Sequence, residues 1–587
     1  MSVFSTILAP LIVLGIGAVV FYISDHLLRP QDKGQVETLV IALATISLLP
    51  GLAHLNQVIH LNPLSQLALY ADKPTWMLAM ILLIGASALS LACWNQPTQG
   101  RTSRLVALSS VLLLILSADQ TLTVIAWALA DVAMLHMLGQ QHAADERVIR
   151  AGFLSMLGAA LLATGLMLQS SVEQVMFKTA AAIMLPWAFV LCLLPLPLPT
   201  WQAAADASSQ TPLASRIMIF LLPSTIAMAL GQKFFTWEVP LFNGGQQLWF
   251  VLWATLIMLI GALRAWAAQT PAQLIDNTVW HGMGIILSTW ALQLDPAVQL
   301  AAGINAILSI LILRTTWSQC QYLNVADPHT WWRALPVAFA LGTQAGLPLT
   351  LGFPVRIAMY TTIFNSKWPA LLPLIVAEAL FMGALLRILL DLEHVPEPAA
   401  DHGAREPENH VGSSQFKVSE AWLKRLAARP HVVRSLDALL ERIGNRWQPV
   451  LRLLTSIDPI YAAGALLSIF LFVLGLFPNL LSHTRSLSNL FRWLSIPRMP
   501  EWAALLLSLV GGIVAYRHQM TLIELVQGWW PLLDHLFDLD WLYRAVQKVL
   551  SLLRGLLWSA TLVVEGAGYM AWVVLVCLVI LIFVISR

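Results

Sequence analysis

LLPLPLPTWQAAADASSQTPLASRIMIFLLPSTIAMALG, from Leu193 to Gly231, decides the fold. Two apolar segments meet in it at a proline-punctuated break. Pro195, Pro197 and Pro199 lead into Thr200 and Trp201, and Thr211-Pro212 opens the next apolar run. Proline removes a backbone donor and steers the preceding residue out of the helical region. Hydrocarbon offers no partner to the carbonyls so freed, so a membrane helix broken here must face protein or a water-filled cavity. Broken membrane helices of this kind sit at transport sites. A loop joining two ordinary spans fits the same residues.

The flanking composition places the break in a membrane. Of 587 residues, 58% are hydrophobic and 11% charged, against about 25% charged in soluble domains, and the mean hydropathy is +0.74. The net charge of +2 gives no footprint for nucleic acid. Cys93, Cys192, Cys320 and Cys577 stand alone without C-x-x-C spacing, so no disulfide framework, zinc site or iron–sulfur site is read from them. The first apolar segment, Val3 to Ile23, is too long for a signal-peptide core and lacks a basic lead, so it is expected to remain as the first span.

Runs of about 20 apolar residues, the length that crosses the hydrocarbon, begin near residues 3, 36, 63, 104, 119, 148, 175, 212, 246, 274, 296, 331, 368, 456, 500 and 561. They predict about sixteen spans. The run from 63 to 95 is long for one helix, and Pro348, Gly352 and Pro354 should break the one from 331 to 364. Arg29, Lys33, Arg101, Arg104, Arg147, Arg150, Arg264 and Arg314 fall mostly on odd-numbered loops. The positive-inside rule puts those loops in the cytoplasm. The long polar stretch 392–455 follows the thirteenth span and agrees, its second half carrying seven basic residues from Lys417 to Arg446. Val418 to Trp447 has the spacing of a basic amphipathic helix on the membrane surface, and it also fits an ordinary connector. Thr521 to Ala560 mixes tryptophans and leucines with Asp534, Asp538, Arg544 and Lys548, as an interfacial helix would, and Gly566 to Ser586 is apolar enough to anchor it.

Six motifs in order resemble the antiporter-like membrane subunits shared by respiratory complex I, cation/proton antiporter complexes and membrane-bound hydrogenases. LNPLSQLALY from Leu61 is similar to the family's early Asp-Pro-Leu-Ser segment, and SADQTLTVIAWALADVAML from Ser117 to its Trp-Glu-Leu helix. LPLPTWQ with TPLASRIM resembles its broken-helix signature, and LIDNTVWHGMG its Leu-Ala-Tyr-Ser-Thr helix. AGLPLTLGFPVR resembles its Gly-Phe-x-x-Lys turn, and FDLDWLYR from Phe537 the segment before the last helix of the longest members.

The resemblance implies an all-α polytopic protein with broken helices in two inverted-repeat halves and an interfacial helix before the last span. The implied division is a core over 1–391, a polar linker over 392–455, further spans over 456–518, an interfacial segment over 519–560 and an anchoring span over 561–587. It also implies other membrane subunits as partners and a bacterial inner-membrane location. No cofactor is expected: no phosphate-binding glycine loop, dinucleotide fingerprint, HExxH or cysteine cluster is present. Electron transfer, if any, then belongs to partner subunits, and whether the chain serves an enzyme is open.

The family moves protons through buried lysines and glutamates that change protonation, which a fixed charge cannot do. Position by position, the glutamate of Trp-Glu-Leu falls on Ala128, the lysine ahead of Thr-Trp on Cys192, and the lysine of His-Ala-x-x-Lys on Ser309. The residue of Gly-Phe-x-x-Lys becomes Arg356, while His281 stands where the family has glutamine or histidine. Asp131, three residues past Ala128 and near one turn along the same face, offers a replacement carboxylate. Glu378 adds an intramembrane acid. Two readings follow: a structural or coupling subunit whose proton path is degenerate or rerouted, or an active proton or cation translocator of an inorganic-carbon uptake or antiporter complex, using Asp131, His281, Arg356 and Glu378.

Overall fold

The computed structural model describes residues 3–24, 30–60, 68–93, 100–139, 146–170, 175–193, 213–239, 241–268, 271–320, 334–390, 459–477, 481, 499–537, 548 and 551–552. The proline-rich break over 194–212, the polar linker and the last span lie outside these residues, as do most of the interfacial segment and the part of the early motif over 61–67.

Among the described residues the chain is almost wholly helical. The helices are α1 (Val3–Ser24), α2 (Pro30–Leu48), α3 (Lys73–Ala92), α4 (Arg101–Leu116), α5 (Gln120–Gly139), α6 (Glu146–Ser170), α7 (Val175–Leu193), α8 (Leu213–Thr236) and α9 (Gly244–Ala267). There follow α10 (Pro271–Ala291), α11 (Pro296–Cys320), α12 (Leu335–Gln344), α13 (Gly352–Ser366), α14 (Leu371–Leu390), α15 (Pro459–Leu476), α16 (Met499–Arg517) and α17 (Gln519–Phe537). Among the described residues ten helices are long and apolar enough to cross a membrane, and Ile7–Ile23, Leu335–Gln344 and Ile460–Leu476 are shorter apolar pieces.

The long run expected from residue 63 resolves into two different elements. β2 (Ala68–Ala71) pairs antiparallel with β1 (Gln57–His60), and α3 starts only at Lys73. A capping box sets that start: Asp72 Oδ1 accepts from the Thr75 amide, and the Asp72 amide donates to Thr75 Oγ1. Two of a helix's orphan donors are thereby satisfied. The second expected break is present, because α12 stops at Gln344 and α13 resumes at Gly352. α17 follows α16 after one residue and packs against α9.

Helices α3, α8 and α11 pack on one another at the centre, and α8 and α11 are almost completely buried along their lengths. α2 and α16 are the least buried of these helices and form the rim. A helix sheathed by protein rather than lipid can carry polar side chains at low cost, and the buried polar residues are concentrated on such helices and their neighbours.

Among the described residues three helices end on the same paired closing bonds, one from the third residue past the helix back five positions and one from the second back three. After α8, the Val239 amide donates to Phe234 O and the Glu238 amide to Phe235 O. After α10, Leu294 donates to Thr289 O and Gln293 to Trp290 O, and after α12, Leu347 donates to Gly342 O and Gly346 to Thr343 O. The residue at the turn takes a positive φ, 55° at Glu238, 52° at Gln293 and 67° at Gly346. Glycine is the usual occupant, because any other residue costs about 1–2 kcal/mol there. α12 follows the rule; α8 and α10 do not.

Candidate functional site

The break between α12 and α13 builds a polar cluster. Ending α12 at Gln344 leaves its last carbonyls without intrahelical partners, and Arg356 in the second turn of α13 donates through Nη2 to Gln344 O. The same guanidinium donates through Nε to Glu378 Oε2 on α14 at 3.0 Å. Both side chains are fully buried. Gly346 lets the turn approach, since a Cβ there would stand 2.6 Å from Arg356 Cδ.

His281 reaches the opposite side of the carboxylate from α10. Its ring stacks on Phe381 with centroids 3.6 Å apart and 6° between planes. Nε2 lies 3.9 Å from Glu378 Oε1, outside hydrogen-bond distance. In the other direction Gln344 Nε2 donates to Ser309 Oγ on α11 at 2.6 Å, and Ser309 donates to Asn305 O one turn earlier. A polar string therefore runs Ser309, Gln344, Arg356, Glu378, His281 across five helices. Glu378 Oε1 and both ring nitrogens of His281 have no hydrogen-bond partner among the described residues.

Asp131 belongs to a separate group on α5. Ser155 Oγ on α6 donates to Asp131 Oδ1 at 2.7 Å, and Trp127 Nε1 donates to Ser155 Oγ at 3.3 Å. Asp131 Oδ2 has no hydrogen-bond partner among the described residues. Ala128, one turn earlier, has no side chain to offer. Cys192 is buried at the end of α7, where its thiol donates to Pro223 O on α8 at 3.7 Å. The structure thus joins three of the four expected path residues, His281, Arg356 and Glu378, and leaves Asp131 in its own pocket.

Other charged residues of the helices are held by local partners. Arg387 donates to the carbonyls of Trp266 and Ala268, both at 3.2 Å. Asp276 pairs with Arg314 at 2.6 Å, and Asp119 caps α5 by accepting from the Leu122 amide. Glu37 is held by Arg101 and by both Nε and Nη2 of Arg104. One buried cation escapes the sequence reading altogether. Lys233 lies in the last turn of α8, and its ammonium donates to Ser117 O and, at 3.4 Å, to Ile115 O at the end of α4. The signal available was a lone lysine inside an apolar run, ALGQKFF, which reads equally as a side chain snorkelling from a helix end.

No protein-family profile and no curated protein matches the chain. Solved structures do. A chain of the Mrp complex from Dietzia sp. DQ12-45-1b superposes with TM-score 0.68 at 14% identity, over 100% of this chain and 63% of that one. A chain of the membrane-bound sulfane sulfur reductase, an archaeal respiratory membrane complex, superposes with TM-score 0.63 at 15% identity, over 99% of both. A chain of respiratory complex I from Thermus thermophilus does so with TM-score 0.56 at 16% identity, over 80% of this chain and 97% of that one. The chain spans less than two thirds of the Mrp chain's length. It has the polytopic helical fold of the membrane chains of these complexes, the fold the six motifs imply.

Proposed function

We propose that this chain is an antiporter-like membrane subunit of a larger complex, with a structural or coupling role and a degenerate or rerouted proton path. The observation that carries the reading is the closure of the positions where the family's chargeable side chains fall. Cys192 is a thiol bonded to the Pro223 carbonyl, and Ser309 is a hydroxyl that receives Gln344 and donates to Asn305. Arg356 is a guanidinium tied to Glu378 and Gln344. Function lives in such sites, not in the fold that carries them. The partners are other membrane subunits, which hold any electron-transfer cofactors. The complex sits in a bacterial inner membrane with 392–455 on the cytoplasmic side.

One observation favours the second reading, translocation through this chain. Asp131 Oδ2, Glu378 Oε1 and the His281 ring nitrogens are buried polar atoms without hydrogen-bond partners among the described residues, and buried polar groups normally have them. Such groups accept and release protons where water reaches them.

Purification of the tagged chain in mild detergent with mass spectrometry of co-purifying subunits, followed by proton flux in vesicles, separates the two. Under the coupling reading, subunits with the full set of titrating residues co-purify, and flux per assembled complex survives Asp131→Asn and Glu378→Gln. Loss of flux from an intact complex on either change establishes the rerouted path.

A further inference from the structure

The two helix ends that break the glycine rule share one cavity. A space of about 880 Å³ opens between the ends of α8 and α10, the start of α11 and strand β2, and both Glu238 and Gln293 line it. Each holds the positive φ that α12 gives to Gly346. Backbone strain of this kind clusters at ligand sites; the Gln293 side chain is itself held by the Phe242 carbonyl, to which it donates at 2.6 Å, which leaves Glu238 as the strained residue facing the space.

The lining has a definite chemistry. Glu238, Asp295 and Asp72 bring three carboxylates, and no lysine or arginine among the described residues lines the space. Burial, then the Asp72 charge, raises the Tyr70 phenol above its ordinary value, so this wall residue stays neutral. Phe234, Phe235 and Trp290 supply aromatic surface. Trp290 and Gln299 also line the space, each only 5% exposed, and Trp290 Nε1 and Gln299 Oε1 have no hydrogen-bond partner among the described residues. The cavity therefore offers one buried donor and one buried acceptor beneath an acidic rim.

We propose that this cavity binds a small organic ammonium with an apolar body. The ammonium is drawn by Glu238 and Asp295 and donates to Gln299 Oε1, the apolar body lies against the aromatic wall, and Trp290 N–H meets an acceptor on the ligand. The volume is that of small-molecule clefts, about 300–1,000 Å³, and far exceeds a single ion. No three acidic, histidine or cysteine side chains among the described residues are grouped to chelate a metal. Carboxylates beside aromatic faces are the ordinary means of holding organic cations.

Fluorine NMR of the full chain in detergent, titrated with 4-fluorobenzylamine and with the neutral 4-fluorobenzyl alcohol, tests the assignment. Glu238→Gly suits the observed φ of 55° and should melt no lower than the parent. The amine should bind saturably and the alcohol should not, with affinity falling about tenfold in Glu238→Gly, the worth of one charge-assisted bond, and severalfold in Gln299→Leu. Equal binding of amine and alcohol, or unchanged affinity in a folded Glu238→Gly variant, overturns it. Displacement by sodium but not by choline at equal ionic strength also overturns it, in favour of an inorganic-cation site.

Discussion

Arg356 Nε stands 3.0 Å from Glu378 Oε2, joining the helix that resumes after a break to the helix that follows it, with both side chains fully buried. Neither group can turn to water. Breaking a buried pair by removing one partner costs about 3–5 kcal/mol, while replacing both with apolar groups is often close to neutral. Glu378→Gln is therefore expected to lower the melting temperature of the detergent-solubilised chain strongly. Arg356→Met/Glu378→Leu should recover most of the loss, as a double-mutant cycle by thermal unfolding would measure.

Asp131→Asn is isosteric and retains an oxygen to accept from Ser155. Stability should change by less than about 1 kcal/mol, the scale of one neutral hydrogen bond, and the chain should assemble normally. Ser155→Ala, which strips the carboxylate of that donor, should cost about 1–3 kcal/mol. Thermal melts of the two variants side by side check the ordering.

Gly346→Ala meets two obstacles. The φ of 67° is strained for any side chain, and the new methyl would press on Arg356 Cδ at 2.6 Å. The backbone cost alone is about 1–2 kcal/mol. A loss of stability larger than that, with Arg356 displaced from Gln344 O in a solved structure of the variant, is the expected result.

Lys233→Met keeps the length of the side chain and removes its donors. The Ser117 carbonyl at the end of α4 then loses the ammonium, with an expected cost of about 1–3 kcal/mol for the unsatisfied acceptor. Lys233→Arg should restore part of it. Hydrogen exchange at the last turn of α4 would localise the effect.

The sequence makes some of these relationships readable and hides others for identifiable reasons. Pro348, Gly352 and Pro354 announce the α12–α13 break, because proline and glycine act on the backbone wherever they stand. The intramembrane charges Arg356 and Glu378 declare themselves by their cost in an apolar run, but their pairing across 22 positions does not. Nor does the approach of His281, which depends on how α10 packs against α14. The hairpin at Gln57–His60 and Ala68–Ala71 is missed because a four-residue apolar strand has the composition of a helix end. Glu238 and Gln293 are invisible in sequence, since only the backbone reveals that they occupy glycine positions.

The polar string also has a mechanical side. On α13, Tyr360 hydrogen-bonds Ser508 at 3.1 Å and Thr361 donates to Glu501 at 2.6 Å, fastening the rim helix α16 to the helix that carries Arg356. Glycines make the same seam tight where α16 crosses α14, a Cβ on Gly512 coming within 2.6 Å of Met382. Moving α16 away from α13 would therefore break two directional bonds as well as apolar packing.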